Sequence, residues 1–205
     1  MTTPFTMRLK THPDGTLSCK KIPPKLSAME PLIDCWFRAL KRYVDNCAED
    51  DAPYWHTERA SISILAGAAW LSGASALEEY HTEKTYSDGT KRGRGDLYIL
   101  WPNDDCIVEA KVCWYPGQRG LAEQITSAMR DARANNEGEA AYACIFVVPR
   151  YSPSQPWALR DIIDSIIKEA PKIDIFAAYF PVSRSCPLPN RCCRGSPRDR
   201  RRHGW

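Results

Sequence analysis

Apolar residues recur at helical spacing in the first third of the chain and at strand spacing through its middle. From Pro31 the segment PLIDCWFRALKRYVDN gathers Leu32, Ile33, Trp36, Phe37, Leu40 and Val44 on one side, with proline suited to a first turn, so it predicts a packing helix. A second helix is expected from Thr57 to Ser72, where Ile62, Leu65 and Ala69 form the stripe and Gly73 offers a stop. A strand over 77–86 and an Asp88-Gly89 turn lead into GRGDLYILWPNDDCIVEAKVCW, Gly93 to Trp114, which predicts two strands joined at Pro102-Asn103-Asp104-Asp105. Beyond it lie a helix over 118–134 bearing Leu121, Ile125, Ala128 and Ala132, and a strand over 141–148 buried on both sides. A helix over 157–169 (Leu159, Ile162, Ile163, Ile166) and a last strand over 173–180 complete the series. The element order is ααβββαβαβ, which predicts an α/β fold with a mixed central sheet flanked by helices.

The central hairpin divides its residues by face. Leu97, Ile99, Trp101, Cys106, Val108, Ala110 and Val112 alternate onto one side without a polar intruder, and that side belongs to the core. Asp96, Glu109 and Lys111 share the other, among Tyr98, Leu100 and Ile107. A loop centred between Asn103 and Asp104 sets Asp96 opposite Lys111 and Tyr98 opposite Glu109. Covered charges need partners or a metal, and carboxylates about 5 Å apart across strands can converge on one small hard cation. One turn before Ile62, Glu58 opens the buried face of the second helix, either as a first-turn dipole partner or as a further member of this acid cluster.

Composition adds organisation. With 205 residues, 43% of them hydrophobic and 26% charged, the chain is expected to form one well-buried domain over 27–182. Residues 1–26 are expected to form an irregular arm or hairpin around Asp14-Gly15, ended by Pro23-Pro24. Residues 183–205 are expected to be a disordered tail rich in arginine and cysteine. The net charge of +3 is unevenly placed: seven arginines and Asp199 give the tail +6 from Arg184 onward and leave −3 for the body. Lys91, Arg92 and Arg94 form a local cationic loop just before Asp96, either a solvated loop or a set of phosphate contacts.

No apolar run approaches the about 18 to 20 residues that cross a bilayer, and no leader is legible at the start, so a soluble cytoplasmic protein with no membrane partner is expected. The nine cysteines include six scattered singly in the body, which are expected to be reduced core thiols. Cys186, Cys192, Cys193 and His203 of the tail have no usual zinc-ligand spacing. Ser-His-Asp arrangements, a phosphate-cradling glycine loop and His-Glu-x-x-His are absent from the sequence.

Glu58 on an early helix, Asp96 opening a strand, Glu109-Ala110-Lys111 on the next and Gln124 on the following helix resemble the PD-(D/E)xK nuclease superfamily, over roughly Thr57 to Val148. The resemblance implies a restriction-endonuclease-like core. It also implies Mg²⁺, with Mn²⁺ as a substitute, held by Asp96, Glu109, the Ala110 carbonyl and Glu58, with Lys111 orienting or activating the attacking water. The proline common before the motif aspartate is Gly95 here, and no tyrosine follows Gln124 by one turn. The implied activity is metal-dependent hydrolysis of phosphodiester bonds, DNA ahead of RNA, by a monomer or a homodimer. The alternative is a non-catalytic nucleic-acid- or protein-binding module on the same fold. A structural ion pair between Lys111 and the acids is the plainer account of these charges.

Overall fold

The computed structural model describes residues 10–13, 17–48, 50–115, 120–135, 140–149 and 174–180, together with 163, 164, 166 and 168. In chain order it contains β1 (Lys10–Thr11), β2 (Leu17–Lys21), a 3₁₀ segment (Pro24–Met29), α1 (Glu30–Asn46), a second 3₁₀ turn (Pro53–Trp55) and α2 (Glu58–Leu71). β3 (Ser75–Tyr86), β4 (Gly89–Trp101), β5 (Asp104–Tyr115), α3 (Leu121–Ala134), β6 (Ala140–Pro149) and β7 (Phe176–Phe180) follow. The protein is α/β, with a four-stranded mixed sheet of order β3-β4-β5-β6 between α1 and α2 on one side and α3 on the other. β3, β4 and β5 are antiparallel neighbours, and β6 joins parallel to β5.

The alternation of β5 builds both cores. Cys106, Val108 and Ala110 join Leu97 and Ile99 of β4 against Ile62, Leu65 and Ala69 of α2 and Leu32 and Cys35 of α1. Cys113 faces the other way, packing with Leu121 of α3 and Ile166, and β6 divides similarly, Phe146 toward the first cluster and Ile145 and Val147 toward the second. Most of the helix expected over 157–169 lies outside the described residues, but Ile163 and Ile166 are helical and buried. The Asp14-Gly15 turn and the tail also lie outside them.

Two features differ from expectation. The β4–β5 pairs are Leu97↔Val108, Ile99↔Cys106 and Trp101↔Asp104, so the turn is centred on Pro102-Asn103. The ladder ends at Leu97↔Val108, so Asp96 is not paired opposite Lys111; its carboxylate instead accepts the Ala110 N–H. The shift is two residues, which preserves every side chain's face because the strand period is two. In addition, the last strand is not in the central sheet: β7 pairs with β2, and with β1 they form a separate sheet held against α1 by the stacked rings of Phe37 and Tyr179, 6.1 Å between centroids.

β3 changes face halfway along. Glu78 accepts a hydrogen bond from Ser63 Oγ of α2 at 2.8 Å, whereas Lys84, of the same parity, reaches Glu109 and bridges to Asn135 at the end of α3. The exchange falls at Glu79, whose φ of 53° is left-handed, a rare state for a residue with a side chain. Beside it the Tyr80 ring lies over Gly95, so closely that a Cβ there would collide with Cε1. This explains why a glycine precedes Asp96. Gly95→Ala should force the ring off its neighbour Tyr98 and lower stability by about 1–3 kcal/mol, as overpacking does. Urea unfolding measures this, and in a Tyr80→Ala background, where the clashing ring is gone, Gly95→Ala should cost little.

Candidate active site

The site is built where two strands part. β4 and β5 pair as far as Leu97↔Val108, after which β4 continues with β3 alone and β5 with β6 alone. The parting frees one edge of β5, and alternate N–H groups on that edge lose their ladder acceptors. Two carboxylates replace them. Asp96 Oδ2 accepts the Ala110 N–H at 2.7 Å and Glu58 Oε2 accepts the Val112 N–H at 3.1 Å. α2 starts at Glu58, after Thr57, so its first side chain reaches the freed edge from the α1/α2 layer. Each carboxylate keeps a second oxygen with no hydrogen-bond partner among the described residues.

Glu109 follows on the α3 side of β5 and is 2% exposed. Its Oε1 accepts Lys84 Nζ at 2.7 Å and Asn135 Nδ2 at 2.9 Å. Lys111 Nζ donates to the Ala110 carbonyl at 2.9 Å and lies 3.7 Å from Asp131 Oδ2. Burial pushes the Glu58 carboxyl above its ordinary value of 4.5; Lys111 pulls it down, while Asp96 and Glu109 push it further up. Glu109 is raised for the same leading reason, opposed by Lys84 and Asn135 and reinforced by Asp96. Three carboxylates thus repel one another across a half-covered space.

The other expected residues are placed as follows. Gln124 is half-buried on α3, two turns ahead of Asp131 on the same helical face. Lys91, Arg92 and Arg94 lie in β4 and not in a loop, because the β3–β4 ladder extends to Tyr86↔Gly89. Lys91 pairs with Asp88, and Arg94 pairs with Glu79 at 3.0 Å, while Arg92 is exposed across from Glu83. Lys84, Asp131 and Asn135 were not anticipated. Asp131 and Asn135 continue the α3 stripe through Gln124 and Ala128, a spacing visible in the sequence, whereas Lys84 required knowledge of the turned face of β3.

The donor set of Asp96, Glu109, Glu58 and the Ala110 carbonyl is all hard oxygen and net anionic, which fits a small divalent cation. In the present arrangement no three His, Cys, Asp or Glu side chains among the described residues converge closely enough to hold an ion, so a cation requires the free carboxylate oxygens to turn inward. An open depression of about 460 Å³ between the start of α1 and the end of α2, lined by Glu30, Asp34, Cys35, Arg38 and Leu71 among others, includes none of these residues. Among the described residues no helix is long and apolar enough to cross a membrane. Family models, curated proteins and solved structures give no match to this chain.

The raised Glu58 carboxyl sets a pH dependence. The folded chain holds a proton that the unfolded chain has released between the ordinary value of 4.5 and the raised one, so stability falls as pH rises through that window. Glu58→Gln keeps an acceptor for the Val112 N–H and removes the charge. In metal-free buffer it should melt at or above the wild-type temperature near about pH 7, an advantage that vanishes toward about pH 4 as the wild-type carboxyl protonates. Melting curves of both proteins across that range measure it.

Proposed function

We propose that the chain is a divalent-metal-dependent nuclease with a restriction-endonuclease-like core, hydrolysing phosphodiester bonds of DNA in preference to RNA. The observation that carries this is the pair of carboxylates, Asp96 and Glu58, capping the edge of β5 at the parting of β4 and β5, with Glu109 and Lys111 on that same strand. Mg²⁺ or Mn²⁺ would be held by these three carboxylates and the Ala110 carbonyl, and it would supply charge neutralisation at a scissile phosphate and acidify a bound water. Lys111, anchored at the Ala110 carbonyl, holds an ammonium beside the ligands, where it can orient a water for in-line attack and by its charge favour the hydroxide form, the proton passing to solvent. Gln124 lines the same side from α3. Lys91, Arg92 and Arg94 supply phosphate contacts, Lys91 and Arg94 by exchanging the exposed Asp88 and the half-buried Glu79, a substitution that costs little for ion pairs open to solvent. The Arg-rich tail adds salt-sensitive attraction to nucleic acid.

One observation favours a second reading, a non-catalytic binding module. Glu109 is already neutralised by the buried ammonium of Lys84, and a buried pair of this kind serves structure without chemistry. The two readings separate at Lys111. Supercoiled and linear DNA, and RNA, are incubated with the purified protein in Mg²⁺ or Mn²⁺. The nuclease reading predicts cleavage that Lys111→Ala reduces by about a hundredfold or more while Mn²⁺ binding persists, because the oxygen ligands remain. A folded wild type that cuts none of these substrates in either metal contradicts it, as does a folded Lys111→Ala that cuts at the wild-type rate.

A further inference from the structure

On the nuclease reading above, we propose that Asn135 and Asp131 of α3 are positioning residues for the two motif residues of β5, Asn135 setting the Glu109 carboxylate and Asp131 setting the Lys111 ammonium. The geometry matches in pitch. Four residues of helix advance about 6 Å and two residues of strand about 6.6 Å, so side chains four apart on α3 can meet side chains two apart on β5. The contacts run in opposite order along the two elements, Asp131 to Lys111 at 3.7 Å and Asn135 to Glu109 at 2.9 Å, as antiparallel packing of α3 on β5 requires. Leu121, Ala128 and Ala132, all buried, hold that helix against the sheet. Ala128, one turn after Gln124, is a small buried packing residue, and the polar contacts fall one and two turns later.

Asn135 is placed with some force. It is the residue after the last turn of α3, its backbone bridges to Lys84, and its Nδ2 also lies 3.4 Å from the Asp131 carbonyl. Its Oδ1 is buried without a hydrogen-bond partner among the described residues. A buried amide oxygen left bare is costly, and turning the amide over would set that oxygen against the Glu109 carboxylate. The orientation is the one that donates to Glu109. With Lys84 and Asn135 both on Oε1, the carboxylate is pinned by one oxygen and the other is left for a ligand. Asp131 in turn is shared between Lys111 and Arg130, which contacts its Oδ1 at 3.2 Å, so the acid guides the lysine without neutralising it completely.

The two contacts should fail differently. Groups that orient metal ligands typically change metal affinity by about 10- to 100-fold when removed. Asn135→Leu should therefore weaken Mn²⁺ binding by about tenfold or more, and Asn135→Ala, which removes the same donor without added bulk or charge, should do so as well if the leucine variant fails to fold. Asp131→Asn should leave Mn²⁺ affinity within about twofold and reduce single-turnover DNA cleavage by about tenfold, because it acts through Lys111. Electron paramagnetic resonance of free Mn²⁺, plasmid cleavage and thermal melting are read on wild type and variants. Wild type that binds no Mn²⁺ overturns the nuclease reading and this inference with it. Wild type that binds and cuts, with folded variants indistinguishable from it, overturns the inference alone. Losses of binding and turnover in step with melting temperature in both variants indicate a merely structural role and also overturn it.

Discussion

Two main-chain N–H groups, those of Ala110 and Val112, govern the centre of this protein. They stand on the edge of β5 that β4 abandons, and a buried donor without an acceptor costs about 1–3 kcal/mol. The chain meets this with carboxylates from two different elements, Asp96 from the departing strand and Glu58 from the first turn of α2. Acceptors could have been supplied by neutral side chains at no electrostatic cost. The use of two acids, with Glu109 near enough to Asp96 for each charge to oppose the other, concentrates negative charge where the fold gains little from it. That excess is what the proposed chemistry would employ, since each of the two edge-capping carboxylates retains an oxygen for a cation.

The two lysines have different standing. Lys84 and Glu109 are 10% and 2% exposed at 2.7 Å, and breaking such a pair by removing one partner typically costs about 3–5 kcal/mol, so this contact is part of the fold. Lys111 is more accessible, with a carbonyl at 2.9 Å and a carboxylate only at 3.7 Å. Its ammonium is the more weakly committed, which suits the proposed role of orienting a water. Of the acids, Glu109 is held in place and Asp96 and Glu58 are each tied by one oxygen to the edge they complete.

Much of the scaffold was legible because it is periodic. The stripes of α1 and α2 follow from Leu32 to Val44 and from Ile62 to Ala69, and the apolar side of the hairpin from strict alternation. The register error at the turn did not move any side chain to the wrong face, since Pro102-Asn103 in place of a later centre shifts the pairing by two. Non-local features were not legible. Nothing in residues 17–21 indicates that they pair with β7 some 160 positions later, and nothing in SALEEYHTEKTY announces that Glu79 adopts a left-handed backbone and turns Lys84 toward Glu109. The site inherited this limit: Asp96, Glu109 and Lys111 come from one hairpin and could be seen together, whereas the groups that hold them come from the far half of β3 and the end of α3. Asp131 and Asn135 were readable as a polar continuation of the Gln124 stripe, but their partners were not.

The central claim, that these carboxylates form a cation site, is tested most directly by the melting temperature of the protein as Mn²⁺ is titrated in, for the wild type and for Asp96→Asn. The asparagine keeps an oxygen for the Ala110 N–H, so the fold is retained while the charge is lost. A ligand that binds only the folded chain stabilises it by RT ln(1 + [L]/Kd), about 2.7 kcal/mol at a hundredfold excess over Kd. The account predicts a dose-dependent rise for the wild type that Asp96→Asn lacks. No rise in the wild type, or an equal rise in both, would contradict it.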